Sequence, residues 1–412
     1  LGSRPVWLQA VVILPAVCEG CPRRGAWLSA GMSSSIFGRF ARRMAEQALG
    51  PVAPCQGFKG SARAGAAFGA AALSLSGSGP HHAEDKEPGD VKRHFDAMGY
   101  LHTVVKGRVM PPFMSSACVR LLQQDFALRG SDIVIATYPK CGTTWMQQIV
   151  LMLLHEGDRS KVQHPMAQAP WIEMSVCNKH KGSLAFGRTP TMSAQELTAW
   201  DGELGPLPAP PRRAFKTHAP ADLVPWRGGL SGCGGAKIIV VTRNPKDACV
   251  SMFHHTKDGP FEYRGDFHHF VTAMFLGGNI ESGCFWDWHA GWERVSEEHP
   301  GTVMWVSYEE LKRDFAGTVH RLGHFLDIPV PEDLIAQAQN GSSFKAMKDQ
   351  MAKTDSEDEA RGVETKNNHI RKGEMGSWRG DIHGALLAEF DAVHSAKTAL
   401  SGLKYTFDFG DT

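Results

Sequence analysis

Three times along the chain, a short uninterrupted apolar run is followed by a longer segment whose apolar positions recur every three or four residues. The runs are residues 131–138 (SDIVIATY), 237–242 (KIIVVT) and 303–308 (VMWVSY). Stretches of that length, rich in β-branched residues, read as strands buried on both faces. The segments behind them read as helices: 144–155 (TWMQQIVLMLLH), the part of RNPKDACVSMFHH after its Asn-Pro turn, and 309–328 (EELKRDFAGTVHRLGHFLDI). The last of these aligns Leu311, Phe315, Val319, Leu322 and Phe325 on one side. Strand followed by helix, repeated, predicts an α/β fold of three layers with a central parallel sheet. Such sheets bind ligands beyond the carboxyl ends of their strands, where the loops of chemical interest fall.

The first eighty or so residues lack this pattern. They are rich in Ala, Gly, Ser and Arg and carry a net charge of +6 over residues 1–83, against −5 for the remainder of the 412-residue chain. We expect residues 1–85 to be a low-complexity extension, disordered or targeting, and residues 90–409 to form the folded domain. The apolar stretch VWLQAVVILPAV contains Pro15 and is too short to span a bilayer as a helix, so no transmembrane segment is predicted. SSSIFGRFARRMAEQALG has the Ser/Arg-rich amphipathic character of an organelle transit segment. A folded part of net charge −5 has no nucleic-acid footprint, and any anion must be held locally. The nine cysteines are scattered and odd in number, which suits a reducing compartment. Cys18 and Cys21 have no second pair at zinc-binding spacing, so no metal site is expected.

Four stretches carry candidate chemistry. TYPKCGTTW (137–145) places Lys140 and Gly142 where backbone amides at the start of a helix would face an anion. It is a P-loop-like anion-binding loop after the first core strand, but its lysine precedes the glycine, which no triphosphate loop allows. FKTHAP (215–220) offers His218. TRNPKDACVS (242–251) sets Arg243 and Ser251 eight residues apart across a turn, a bidentate donor and a hydroxyl for a phosphate. IRKGEMGSWRG (370–380) holds Arg371, Lys372 and Gly373 in a compact basic turn. Read singly, each has an ordinary structural explanation: a capped turn, a packed histidine, an arginine at a sheet edge, a solvated charged loop.

Together, YPKCGTTW, KTHAP, TRNPKD and RKGEMGSW resemble, in order and spacing, the YPKSGTTW, KTHLP, TRNPKD and RKGxxGDW of the cytosolic sulfotransferase family. The resemblance runs from about residue 91 to 409. It implies a co-substrate, 3′-phosphoadenosine 5′-phosphosulfate (PAPS), and no metal. Lys140, Cys141, Gly142, Thr143, Thr144 and Trp145 would surround its 5′-phosphosulfate and adenine side, with the Cys141 contribution coming from the backbone. Arg243 and Ser251 would hold the 3′-phosphate, with Arg371, Lys372 and Gly373 closing over it, and Tyr308, Ser342 and Phe344 would line the adenine. His218 matches the general base and Lys216 a second lysine at the transfer site, so that His218, Lys140, Lys216 and Ser251 make up the catalytic set.

Cys141 and Ser377 depart from the family's Ser and Asp, and Ser377 is expected to loosen the closing segment. RGDIHGALLAE has Arg379, His383-Gly384 and Ala388 in place of the Lys, Thr-Val and Glu of the family's KxxxTVxxxE dimer pattern, which leaves the usual homodimer open. Phe186, Trp171, Trp286 and Phe261 are candidates for an acceptor pocket admitting a phenol, steroid or other small alcohol or amine. The resemblance favours the cytoplasm, with organelle import through the extension as the alternative. Two other readings are a P-loop-like kinase and a catalytically impaired nucleotide- or amphiphile-binding protein of the same fold.

Overall fold

The computed structural model describes residues 94–95, 98–162, 164–178, 189–203, 209–258, 261–360 and 370–407, all within the unit Gly77–Thr412. An antiparallel sheet comes first, from strands β1 (His94–Phe95), β2 (Leu101–Val105) and β3 (Arg108–Met110) in that order. The central sheet follows. It consists of β4 (Ile133–Thr137), β5 (Ala214–Thr217), β6 (Lys237–Thr242) and β7 (Val303–Ser307), ordered β5-β4-β6-β7 with every pair parallel.

Alternation along the strands explains the three layers. In β4, Val134 and Ala136 enter one hydrophobic cluster while Ile133 and Ile135 enter another; in β6, Ile238 and Val240 divide from Ile239 and Val241 in the same way. Successive side chains of a strand point to opposite faces, so a continuous apolar run feeds two cores. The helices used below are α1 (Ser116–Asp125), α2 (Thr143–Leu154), α3 (Ile172–Cys177), α4 (Pro245–Asp258), α5 (Phe285–Glu298), α6 (Tyr308–Arg313), α7 (Phe315–Leu326), α8 (Glu332–Gly341), α9 (Phe344–Ala360) and α10 (Gly384–Ser401). Helices α2, α7 and α8 cover the Ile133 face; α5 and α10 lie on the other.

Three features differ from the sequence reading. The helix expected over 309–328 is two, because Asp314 leaves helical geometry (φ −136°, ψ 76°) and its carboxylate caps α7 by accepting from the Gly317 amide at 2.9 Å. Within α7, Phe325 is only partly buried, at the rim of its cluster. Strand β5, which no periodic run announces, is held at the sheet edge by a buried pair in which Arg213 donates to both carboxylate oxygens of Asp132. The cysteines are not uniformly reduced: Cys118 in α1 and Cys177 in α3 form a disulfide across 59 residues. Closing a loop of that length stabilises a fold by about 4 kcal/mol on chain-entropy grounds. Cys18 and Cys21 lie outside the described residues, as does the predicted extension. Among the described residues no helix is long and apolar enough to cross a membrane, and no cluster of metal-ligating side chains occurs.

Candidate active site

The turn between β4 and α2 is shaped for close approach. Lys140 and Gly142 both take left-handed backbone angles (φ 70° and 108°), which only glycine adopts without cost. A Cβ on Gly142 would stand 2.9 Å from Cδ2 of Tyr308. Gly142 caps α2 with no side-chain hydrogen bond. Thr143 spends its hydroxyl on Thr137 Oγ1 at 2.6 Å. The first amides of α2 are therefore left to whatever anion occupies the turn.

Strand register supplies the other groups. Because Ala136 pairs with Thr217, the next residues, Thr137 and His218, lie side by side, and His218 Nδ1 is 2.8 Å from the Thr137 carbonyl oxygen. A carbonyl can only accept, so Nδ1 carries the proton and the ring's lone pair is on Nε2. Trp171 packs edge-on to the imidazole at 4.8 Å, and Lys216 Nζ sits 4.3 Å from the centre of the Trp171 ring. In the same way Thr242 pairs with Ser307, which brings Arg243 and Tyr308 together, the guanidinium 4.4 Å over the phenol ring.

TRNPKD is a compact device in which each polar residue has a separate task. The Asn244 side chain caps α4 by accepting from the Lys246 amide at 2.9 Å, and Pro245 occupies the first turn. Arg243 donates to the Lys140 carbonyl at 3.2 Å and the Glu374 carbonyl at 3.0 Å, bridging the anion loop and the closing segment. Lys246 pairs with Asp391 of α10 at 2.6 Å. Asp247, 1% exposed, accepts from the amides of Gly376 at 2.7 Å and Trp378 at 3.0 Å and from the Ser377 hydroxyl at 3.2 Å. Ser377 therefore ties the closing segment down rather than loosening it. An aspartate there would set a second carboxylate against Asp247.

These groups converge on a cleft of about 410 Å³. Lys140, Lys216 and His218 line it together with Trp145, Tyr308, Ser342 and Phe344 and with Arg243, Ser251, Arg371, Lys372 and Gly373, and the Trp145 and Tyr308 rings meet edge-to-face at 5.2 Å to form an aromatic slot. Burial lowers Lys140 and Lys216 to about 8, with Arg243 adding to the effect at Lys140. Burial likewise pushes the Tyr308 phenol to about 12. The Nε atoms of Arg243 and Arg371 are buried without a hydrogen-bond partner among the described residues. Orphaned guanidinium donors, an uncapped helix start and an aromatic slot fit a phosphorylated adenosine.

Of the predicted cofactor and catalytic residues, Cys141 alone does not line the cleft. Its side chain is fully buried in the core, burial drives its thiol far above the usual range, and its amide donates to the Tyr138 carbonyl at 3.2 Å. Of the acceptor candidates, Trp171 lines the cleft. Trp286 and Phe261 are packed elsewhere, Trp286 donating to His394 at 2.9 Å and Phe261 stacking on Tyr100. Phe186 lies outside the described residues. The sequence reading missed Lys312, which sits 5.1 Å over Trp145 and 5.8 Å over Tyr308, Phe315 beside them, and Glu281 near the lysines. Asp247 was visible in TRNPKD, but its role depends on a segment 129 residues away.

A parallel α/β sheet whose strand ends deliver an amide-lined loop, two lysines, paired arginines and an oriented histidine to one cleft defines a group-transfer enzyme for an anionic nucleotide donor. The profile of the family described as "Sulfotransferase domain" matches residues 130–402. The chain is 30% identical over 288 residues to Sulfotransferase 1B1 of Mus musculus, covering 69% of this chain and 88% of that protein. It is 30% identical over 293 residues to Luciferin sulfotransferase of Photinus pyralis, covering 68% and 75%. Among solved structures, it superposes on mouse sulfotransferase SULT7A1 complexed with PAP, the desulfated nucleotide, with a TM-score of 0.54 and 24% identity over 73% of this chain and 95% of that one. It also superposes on retinol dehydratase in complex with androsterone and PAP, with a TM-score of 0.57 and 18% identity over 76% and 92%. The chain belongs to the sulfotransferase family, enzymes that move a sulfuryl group from PAPS to an acceptor.

Proposed function

We propose that His218 is the general base of sulfuryl transfer to a hydroxyl of a small amphiphilic acceptor, and that the cleft binds PAPS as the resemblance implies. The observation that carries this reading is the hydrogen bond from His218 Nδ1 to the Thr137 carbonyl, which leaves Nε2 basic in the cleft that Lys140 and Lys216 also line. PAPS supplies the activated sulfuryl group; the remaining work falls to side chains. Nε2 takes the proton of the acceptor hydroxyl as its oxygen bonds to sulfur. Lys140 and the α2 amides stabilise charge on the phosphate oxygen that leaves, an electrostatic contribution available before the reaction begins. Arg243, Ser251, Arg371, Lys372 and Gly373 hold the 3′-phosphate; Trp145, Tyr308, Ser342 and Phe344 hold the adenine, with Lys312 over its outer edge. The Trp171 ring forms an apolar wall against which a phenol, steroid or similar alcohol packs. A relative named Cytosolic sulfotransferase 12 of Arabidopsis thaliana supports a cytoplasmic location.

Replacing His218 by Ala is expected to lower kcat by about a hundredfold or more, measured as labelled sulfate transferred from PAPS to a phenol. PAP affinity, measured by calorimetry, should change less than about twofold, because His218 contacts the reacting oxygen and not the nucleotide. Equal losses in transfer and PAP binding would remove His218 from the base role.

A further inference from the structure

One group at the transfer end has the opposite charge from its neighbours. Glu281 lines the cleft and is 2% exposed. Its position is enforced from both sides. Its amide hydrogen-bonds to the Tyr100 hydroxyl at 3.0 Å, and two residues on the Gly283 carbonyl accepts from the Tyr138 hydroxyl at 2.8 Å. Ser282 between them holds a left-handed φ of 69°, a conformation costly for a residue with a Cβ and retained where the surroundings over-determine it.

The carboxylate so placed has no hydrogen bond or ion pair among the described residues. The other buried carboxylate nearby, Glu173, accepts the Thr217 hydroxyl at 2.6 Å through Oε1, while its Oε2 is buried with no hydrogen-bond partner among the described residues. Lys216 and Lys140 act on Glu281 electrostatically without pairing with it, and burial pushes it up to about 7. An unpaired buried carboxylate is costly to maintain. In its ionised form Glu281 gains nothing from the nucleotide donor, whose phosphates and sulfate are anionic, so a donor group arriving with the acceptor is the partner that suits the carboxylate.

We propose that Glu281 is a specificity-determining residue that accepts a hydrogen bond from a second donor group of the acceptor, an amine or a hydroxyl. The preferred acceptors are then bifunctional. This rests on the sulfotransferase reading above, and the test separates the two.

The test measures kcat/KM for transfer from PAPS to two matched pairs, phenol with catechol and 4-ethylphenol with tyramine. The wild-type enzyme is expected to prefer the donor-bearing member of at least one pair by about 10- to 100-fold, the range of one hydrogen bond to a charged acceptor. Glu281→Leu should reduce that preference at least tenfold. Glu281→Gln, which keeps the shape, should abolish a preference for tyramine while retaining part of one for catechol. PAP binding by calorimetry shows that each variant is folded; if Glu281→Leu does not fold, the Glu281→Gln ratios decide. Equal loss for both members of a pair would assign Glu281 to the framework and overturn the proposal. Transfer to all four compounds without preference would overturn it and leave His218 as base; transfer to none of them would overturn both.

Discussion

Replacing Asp247 by Ala removes the anchor of the segment that closes the cleft. Its carboxylate holds the amides of Gly376 and Trp378 and the hydroxyl of Ser377. Hydrogen bonds to a charged acceptor contribute about 1.5–3 kcal/mol each, so the two amide bonds together are worth about 3–6 kcal/mol in the closed state. The whole amount is not lost from global stability, because the segment can detach while the sheet and its helices remain. The difference appears in nucleotide affinity, since Arg371, Lys372 and Gly373 reach the cleft only when the segment is docked. Loss of a preformed phosphate clamp is expected to raise the PAP dissociation constant about 10- to 100-fold, or about 1.4–2.7 kcal/mol. Asp247→Asn separates charge from shape. One amide oxygen can still serve Trp378 and Ser377, both of which bond to Oδ1, while the NH2 faces the Gly376 N–H donor, so about half the effect should remain. Calorimetric titration with PAP, with thermal unfolding alongside, checks both variants. Wild-type PAP affinity in Asp247→Ala, or a fall in Tm with affinity intact, would refute the view that this carboxylate docks the clamp.

Two further outcomes follow from the same geometry. Lys140 and Lys216 are lowered to about 8 and Glu281 is raised to about 7. The lysines bind an anion when protonated and lose charge as pH rises through 8, and Glu281 gains negative charge as pH rises through 7. Both changes oppose the nucleotide, so PAP affinity should fall steadily from pH 6 to pH 9, with protons taken up on binding near pH 8 in calorimetry repeated across buffers; affinity flat over that range would contradict the assignment. Gly142→Ala would force a Cβ to within 2.9 Å of the Tyr308 ring at a positive φ. It should cost about 1–3 kcal/mol of stability and weaken PAP binding at least tenfold, read by thermal unfolding and titration.

β4 and β6 were readable because a strand flanked on both sides needs apolar residues at every position, a pattern visible locally; β7, an edge strand only partly buried along its length, carries a weaker version of it. β6 spans its expected run, while β4 is three residues and β7 one residue shorter than expected. β5 was not readable as a strand, since AFKT is four residues held by Arg213 and Asp132, a pair 81 apart in sequence. The site motifs were legible for a similar reason. A loop that must receive an anion needs glycine, lysine and free amides at fixed short spacings. Lys312, Phe315 and Glu281 left no such mark, because a lysine or glutamate beside a helix looks the same whether it faces solvent or a cleft. The Cys141 side chain turns into the core, which leaves only its backbone for the contact that the motif suggests.

By itself, then, the order of residues determined the parallel α/β class, the starts of the helices directly behind the three apolar runs and the four stretches that carry chemistry, because each depends on contacts within a few residues. Only the tertiary structure decided which of those stretches share a cleft, that His218 presents Nε2, that Asp247 anchors the closing segment and that Cys118 meets Cys177. Those depend on strand register and on contacts between residues 59 to 131 positions apart, and no local pattern encodes a distance that folding alone creates.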